Sequence, residues 1–599
     1  MTSQAQIERA SAALSQGKFP ECAAICAAIV AQEPKNAVAT HLLGLAIKES
    51  GDWAQGEQWL RLSVELDPER AEFHANLANL LRRRQKFRQA ERFYRRALTL
   101  APAHRPAQRS LALTLIDLSR FAESEAVCRE LVASDPKDAE AWVLLGMALG
   151  RLDRLTEAEA AYRRALELDP GNRIAHHNLG SLLMRLDRPE AALASLKSAE
   201  ALGAGGYELA FNRGRALCEM NEVEEAEREF ERAVQFQPTS IEAQLQLARV
   251  RYLQGDPKFA RALATAANAN QSDSALQLLL GEVLWRAGEL HAAEVVLQEV
   301  LHRKAGGPQV HSTLACVLLE AGRLKDAEVH ALEAAAAAPD DGVINENLVT
   351  ILLSRGQPDD AMRFISAQRL RQPDSQAWIA FEATAARLLG TDLYPRLYDY
   401  DRLVRVFDLE PPAGWSSMEE LNGALAELLG ARHRLRNHPL DQSLRNGTQT
   451  ARSLLAETHP AVRAILAAFQ GPIAEYRRAL GVDPDHPLSA RNSGEMRYTG
   501  AWSVRLRRLG YHVNHFHPDG WLSSAYYVET PPETVDAVAR SGWIKFGEPR
   551  YAVPGLKAER FVQPRPGRLV LFPSYMWHGT TAIHGDAPRL SIAFDVKPG

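Results

Sequence analysis

The chain has 599 residues, 46% of them hydrophobic and 24% charged, with a formal net charge of −4, values of an ordinary globular protein with no general pull towards nucleic acid or an anionic membrane. No run of about 18 apolar residues reads as a membrane span, and the N-terminal stretch MTSQAQIERASAAL lacks the basic-then-apolar pattern of a secretion signal. Five cysteines with no CxxC pair, all within the first 320 residues, argue against a disulfide scaffold and make a reducing, cytoplasmic setting the simplest expectation.

An internal period dominates residues 1–375. A small residue at position 8, an Ala near position 20 and a Pro at position 32 recur every 34 residues, in units starting near 3, 37, 71, 105, 139, 173, 207, 241, 274, 308 and 342. The unit from 241 is one residue short. Position 8 reads Ala10, Gly44, Ala78, Ala112, Gly146, Gly180, Gly214, Ala248, Gly281, Ala315 and Val349. Small residues at 8 and 20 let two antiparallel helices approach closely, and the Pro at 32 ends the second. Each hairpin buries its apolar face only by stacking on its neighbours. In this register Cys22, Cys26 and Cys128 fall in packing slots and read as small core residues.

Eleven units of this spacing resemble the tetratricopeptide repeat family. The resemblance implies an all-α superhelix whose concave groove holds a protein or peptide partner. Position 6 carries Asn76, Asn178, Asn212 and Asn347. In the repeats of O-GlcNAc transferases an Asn here lines the groove and holds peptide backbone, so these four are the candidate partner contacts. Leu42, Ser110, Leu144, Gln246, Leu279 and Thr313 break the ladder, and Asn tolerated on an exposed helix face is the plain alternative.

After Ser375 the period fades. AWIAFEATAARLLG reads as a capping helix, and the Tyr- and Pro-rich stretch that follows places a domain boundary near 390. Helices are expected near 416–434 and 460–480, with the polar segment His438–Thr450 between them as a loop, either solvated or part of a substrate or cosubstrate rim. Residues 376–490 thus read as a connecting segment, part of which belongs to the domain that follows.

From Arg491 the texture turns to short runs rich in Val, Leu, Ile, Tyr and Phe separated by Gly, Pro and Asp turns, an all-β pattern consistent with a jelly roll over 491–599. Within it, His515, His517 and Asp519 share parity, so an extended chain would point all three to one face. A later run ends in His578, and Arg589 and Ser591 share a face of the last strand. Two ligands from one segment and one from a distant strand can cap one face of an octahedral ion, leaving positions open. An Arg beside a hydroxyl suits a carboxylate.

The order His515-Phe-His517-Pro518, then Ser523-Ser524-Ala525-Tyr526-Tyr527, then Phe572-Pro573-Ser574 with His578, then Arg589-Leu-Ser591 resembles the 2-oxoglutarate/Fe(II)-dependent dioxygenases, in the bacterial branch with an H-x-H-P core. The resemblance implies Fe(II), 2-oxoglutarate and O2, with His578 as the distal ligand, Arg589 and Ser591 on the cosubstrate carboxylate, and one of Tyr526 and Tyr527, which alternate faces, lining the pocket. Two ligand frames compete. His515 with His517 matches the closer branch, whereas His517 with Asp519 restores the common His-x-Asp. A third arrangement keeps Asp519 behind His517 as a hydrogen-bond acceptor. Asn514 has the opposite parity, and Arg505, Arg507 and Arg508 read as a solvated edge or the basic edge of a substrate mouth. The expected function is a hydroxylase whose repeats recruit a protein or peptide. The alternative is a non-catalytic scaffold with a degenerate or other-metal jelly roll. A glycosyltransferase domain is disfavoured by the absence of βαβ alternation.

Overall fold

The structure, a computed structural model, describes residues 2–433, 435–440 and 442–599. The chain divides into two compact units, Met1–Ala216 and Leu217–Gly599. No helix of the described residues is long and apolar enough to cross a membrane.

Helices open at Ser3, Ala37, Ala71, Arg105, Ala139, Arg173, Tyr207, Ile241, Ser274, Pro308 and Gly342, each the first helix of a hairpin, as the 34-residue period places them. Position 8 is small because the residue sixteen further on lies against it. A Cβ at Gly146 would come within 2.6 Å of the Tyr162 ring, and at Gly180 and Gly281 within 2.6 Å of Leu196 and Leu297. In the units from 3 and 105 the pair is Ala10 with Cys26 and Ala112 with Cys128, all buried, which accounts for those thiols as packing residues. Position 15, the turn of every hairpin, has a left-handed φ. It is Gly at 17, 51, 255, 288, 322 and 356, and Gln85, Ser119, Asp153, Asp187 and Asn221 elsewhere. The unit that is one residue short has the shortest second helix of the array, Arg261–Ala269.

Helix Gln376–Leu389 continues the register by one more first helix and ends on Gly390 in the left-handed region. It does not face solvent as a plain cap. Trp378 and Phe381 are buried in one continuous core that includes the later repeats and the β-strands.

The strands are β1 (Arg405–Asp408), β2 (Leu444–Gln449), β3 (Met496–His512), β4 (Leu522–Glu529), β5 (Ile544–Phe546), β6 (Arg560–Val562), β7 (Arg568–Pro573), β8 (His578–Thr580) and β9 (Arg589–Pro598). They form a six-stranded sheet of order β1-β7-β4-β9-β3-β2 and a three-stranded sheet of order β6-β5-β8, antiparallel throughout, consistent with a jelly roll. An isolated bridge pairs His515, in the segment after β3, with His578 at the start of β8. β1 and β2 come from upstream of 491 and supply both edges of the larger sheet, so the β domain begins earlier than the strand-rich texture of the sequence. The segment expected as a polar loop at 438–450 contains β2. Helices Met418–Gly430, Pro460–Ala468 and Gln470–Leu480 pack on the outer face of the larger sheet, where Phe469 stacks on Phe594 at 4.8 Å and Tyr526 donates to Asn422 Oδ1 at 2.6 Å.

Candidate active site

β3 ends at His512, and residues 513–521 leave the sheet rather than running on as the extended chain that parity assumed. Backbone bonds fix the path instead. His515 N donates to His578 O at 2.8 Å, His578 N returns to His515 O at 2.9 Å, and His517 N donates to Ser574 O at 2.9 Å. The rings converge, with centroids 4.3 Å apart for His515 and His578 and 5.1 Å for His517 with either. Their candidate ligand nitrogens all lie within 4.8 Å of one another.

Each ring has its tautomer set from behind. A carbonyl or carboxylate can only accept, so the nitrogen facing it carries the proton. His515 Nδ1 donates to Val513 O at 2.9 Å, His578 Nδ1 to Met576 O at 2.9 Å, and His517 Nδ1 to both oxygens of Asp595 at 2.7 and 2.8 Å. In the neutral rings all three Nε2 atoms are therefore bare lone pairs. His515 Nε2 and His517 Nε2 stand 3.2 Å apart, a spacing at which two lone pairs repel and which a shared proton or a metal cation relieves. Burial, then the charge of His517, pulls His515 down to about 3, and burial drives His578 well below its ordinary value. Burial acts the same way on His517, but the Asp595 carboxylate outweighs it and the net shift is upward. Three imidazoles with their Nδ1 protons held this way turn their Nε2 atoms together and suit a divalent metal.

Asp595 was not anticipated, and it corrects the reading of Asp519 as the acceptor behind His517. Asp519 sits exposed in the turn at the cavity rim and is not one of the three residues that cluster. The signal for Asp595 was available on β9. Arg589, Ser591, Ala593 and Asp595 are spaced by two and all line the cavity, while Leu590, Ile592, Phe594 and Val596 fill the core behind.

Arg589 is buried, donates from Nη1 to Gly542 O at 2.7 Å and lies 5.5 Å from the centre of the Tyr527 ring. Among the described residues its Nε and the Tyr527 hydroxyl are buried without a partner, and the Ser591 hydroxyl has only a long 3.5 Å contact to Val504 O. Such orphaned donors are expensive unless a ligand accepts from them. Tyr527 faces the cavity and Tyr526 the helices, as alternation requires. Burial lowers Arg589 below the ordinary arginine value, with Tyr527 opposing. The residues present thus fit both a metal and a carboxylate ligand.

The cavity measures about 970 Å³. His512, also unanticipated, lines it and shares the Ser443 hydroxyl with His515, at 2.9 and 3.3 Å. Asn514 is spent on Pro549 O at 3.0 Å. Arg507 bonds the carbonyls of Leu435 and Arg436, and exposed Arg508 pairs with Asp586. The basic residues at the mouth are instead Arg286, Arg445 and Arg550. In the repeats, Asn76 bonds His41 at 3.0 Å, Asn212 the Ser181 hydroxyl at 3.0 Å and Asn347 the Ser312 hydroxyl at 2.9 Å, each in the preceding unit, and Asn178 is likewise half-buried. At least three of the four therefore tie neighbouring units together.

A family model described as "Putative 2OG-Fe(II) oxygenase" matches residues 500–595. Models described as tetratricopeptide repeat match 75–139, 109–173, 177–241, 274–299 and 318–384. No curated protein matches the chain. Among solved structures, a tetratricopeptide repeat protein from Parabacteroides merdae ATCC 43184 is 16% identical with a TM-score of 0.36, over 41% of this chain and 97% of that one. Yeast Tom70 is 13% identical with a TM-score of 0.35, over 67% and 99%. YrrB, described as a TPR protein with an unusual peptide-binding site, is 18% identical with a TM-score of 0.27, over 31% and 95%. With helices in register over eleven units and three histidines clustered beside the strands, the chain is a tetratricopeptide repeat protein whose C-terminal region matches the family model described as "Putative 2OG-Fe(II) oxygenase".

Proposed function

We propose that this protein is an Fe(II)- and 2-oxoglutarate-dependent dioxygenase that hydroxylates a protein or peptide brought to it by its repeats. The observation that carries this reading is the set of three histidines whose Nδ1 protons are all donated backwards, beside a buried Arg589 and Tyr527 with unused donors. His515, His517 and His578 would hold the iron, and Arg589, Ser591 and Tyr527 the distal carboxylate of 2-oxoglutarate. When bound, Fe(II) with 2-oxoglutarate and O2 supplies the oxidising chemistry, in which the cosubstrate becomes succinate and CO2 and a C–H bond gains oxygen. The chain's own part is to orient and to shield. Asp595 fixes His517, Val513 and Met576 carbonyls fix the other two rings, and the apolar walls around Phe516 and Phe572 limit water. Asp595 also places one negative charge next to a donor set that has none of its own.

The repeats are the proposed recruiting surface. Asn76, Asn178, Asn212 and Asn347 are candidate contacts through their carbonyl oxygens, since in three of them the amide N–H is already used. Five free thiols fit the cytoplasm as the setting.

The test is direct. The full chain is titrated anaerobically with Fe(II), with and without 2-oxoglutarate, and the visible charge-transfer band of the chelate is sought. A band that needs both, together with succinate on admitting O2, is expected. No band and no succinate would leave the scaffold reading, with a jelly roll that is degenerate or holds another metal.

A further inference from the structure

The cavity above the three histidines is not closed by the β domain alone. Its outer wall includes the C-terminal ends of three successive repeat helices, through Tyr252, Trp285 and Glu320. The segment before β2 is pinned to this wall. Arg436 N and Asn437 N donate to Leu253 O at 3.2 and 3.1 Å, and Asn437 Nδ2 donates to Tyr252 O at 2.8 Å, so a helix end becomes part of the rim.

Arg445 and Arg550 stand on this rim beside Arg286, which has a partner of its own. Arg445 gives its Nη1 protons to the carbonyls of Gln442 and Leu444 at 2.8 and 2.7 Å, which fixes the guanidinium. Its Nε and Nη2, the edge that pairs side-on with a carboxylate, donate to none of the described residues, and no carboxylate among them lies within ion-pair distance. Arg550 has one acid near it, Glu320, at 3.6 Å, and that oxygen also accepts from the Tyr551 hydroxyl at 3.1 Å. Among the described residues these two guanidinium groups have one carboxylate, Glu320, within ion-pair distance of either. Burial, then the charge of Arg550, holds Arg445 below its ordinary value, which is the position of a cation short of a counter-ion. The Trp285 indole N–H on the same wall is a further buried donor without an acceptor among the described residues.

We propose that this rim is a carboxylate subsite, and that the substrate is a polypeptide presenting an Asp or Glu side chain to Arg445 and Arg550. What is done to the substrate rests on the dioxygenase reading, but the recognition does not. The occupant is a chain rather than a small acid because the subsite is set in a cleft walled by three consecutive repeats, in a cavity of about 970 Å³, at the upper end of small-ligand pockets, about 300–1,000 Å³. The cosubstrate carboxylate has its own orphaned donors on Arg589 and Tyr527.

The experiment uses the full chain without iron and reads binding only. Fluorescein-labelled pools of end-capped hexapeptides with a central Asp or Glu are compared by anisotropy with pools that differ only in Asn or Gln there, and free glutarate is run as competitor. Acidic pools should bind about tenfold more tightly, the worth of one charge-assisted fork. Arg445→Gln should lose that preference, Arg445→Lys should keep a reduced one, and the 2-oxoglutarate affinity of both should stay within about twofold of wild type. Equal binding of acidic and amide pools by the wild type, or no binding of either, would overturn the proposal without any variant. Glutarate matching the acidic pools would also overturn it in favour of a small dicarboxylic acid, and Arg445→Gln weakening 2-oxoglutarate while sparing peptide would give the arginine to the cosubstrate. A chain that failed the iron chelation test could still pass this one, so the two readings fail separately.

Discussion

His517 owes its usable form to a residue 78 positions away, because Asp595 accepts the hydrogen bond from its Nδ1–H and leaves Nε2 unprotonated in the neutral ring. Replacing Asp595 with Ala should weaken metal binding about 10- to 100-fold, since the ring then loses its tautomer and its orientation. Competition against a chromophoric chelator measures this, and an affinity equal to wild type would show that the carboxylate is idle. The Arg-x-Ser pair was legible because two-residue spacing marks one face of a strand, whereas His515 and His517 lie off the strands and converge through backbone bonds that spacing does not show. Asp595 lies on that same face of β9, two strides beyond Ser591, but an acid was looked for beside the histidines rather than along the strand that faces them. A second residue-scale effect concerns pH. Glu346, half-buried in the last repeat, has its carboxyl raised to about 7 by burial. A folded value above the ordinary one, about 4.3, means the folded state holds a proton that the unfolded state has released. Stability therefore falls as pH rises between those two values. Glu346→Gln should melt with wild type near pH 4.5 and be more stable at pH 8 by on the order of 2 kcal/mol. Parallel melting curves at both pH values would show that the carboxylate is solvated.

At the scale of elements, the repeats were readable to the residue because eleven copies average out local noise, and every expected unit start opens a helix. Their turns show where sequence and conformation are in tension. Position 15 is left-handed in every hairpin, yet five units place a residue with a Cβ there. An L-residue in that region costs roughly 1–2 kcal/mol. Ser119→Gly should therefore stabilise Met1–Ala216 by about 1 kcal/mol after the flexibility of glycine in the unfolded chain is subtracted. A melting temperature at or below wild type would show that the Ser119 side chain gives something back. The short strands were less legible. β5, β6 and β8 have three residues each, too few to show alternation. β2 was hidden by Asn446-Gly447, which reads as a hairpin turn. Here Asn446 takes the left-handed φ, the register with β3 shifts between Arg445 and Gly447, and a Cβ on Gly447 would lie 2.6 Å from Arg505 O. The dipeptide makes a bulge, not a turn, and Arg445 stands at that bulge.

At the scale of the unit Leu217–Gly599, the repeats and the β domain are one folding body, which a boundary near 390 conceals. Helix Gln376–Leu389 ends the repeat register and also supports the histidine loop. Phe381 lies 6.1 Å from both Phe516 and Trp577, Phe516 sits between His515 and His517 in the chain, and Trp577 precedes His578. Trp577 Nε1 donates to Thr384 Oγ1 at 3.0 Å and Trp577 N to the Tyr398 hydroxyl at 2.9 Å, while Arg387 reaches Gly547 O at 2.7 Å. The core that holds these residues runs unbroken from Ala293 to Val596. A fragment that starts at residue 380 keeps all the strands and every candidate ligand but loses Trp378, the first turn of this helix and the repeats beneath it. It should fail to show a cooperative melt and should bind metal weakly, because the loop with His515 and His517 would lose its backing. A fragment that starts at Tyr207, the nearest unit start, keeps the whole core and should melt in a single transition with the metal affinity of the full chain. Calorimetry with and without Zn(II) distinguishes the two. If the shorter fragment melts cooperatively and binds metal like the longer one, the helix is a plain cap and the repeats are a separable arm. If only the longer one does, the histidine site is built by the repeat array as much as by the sheets.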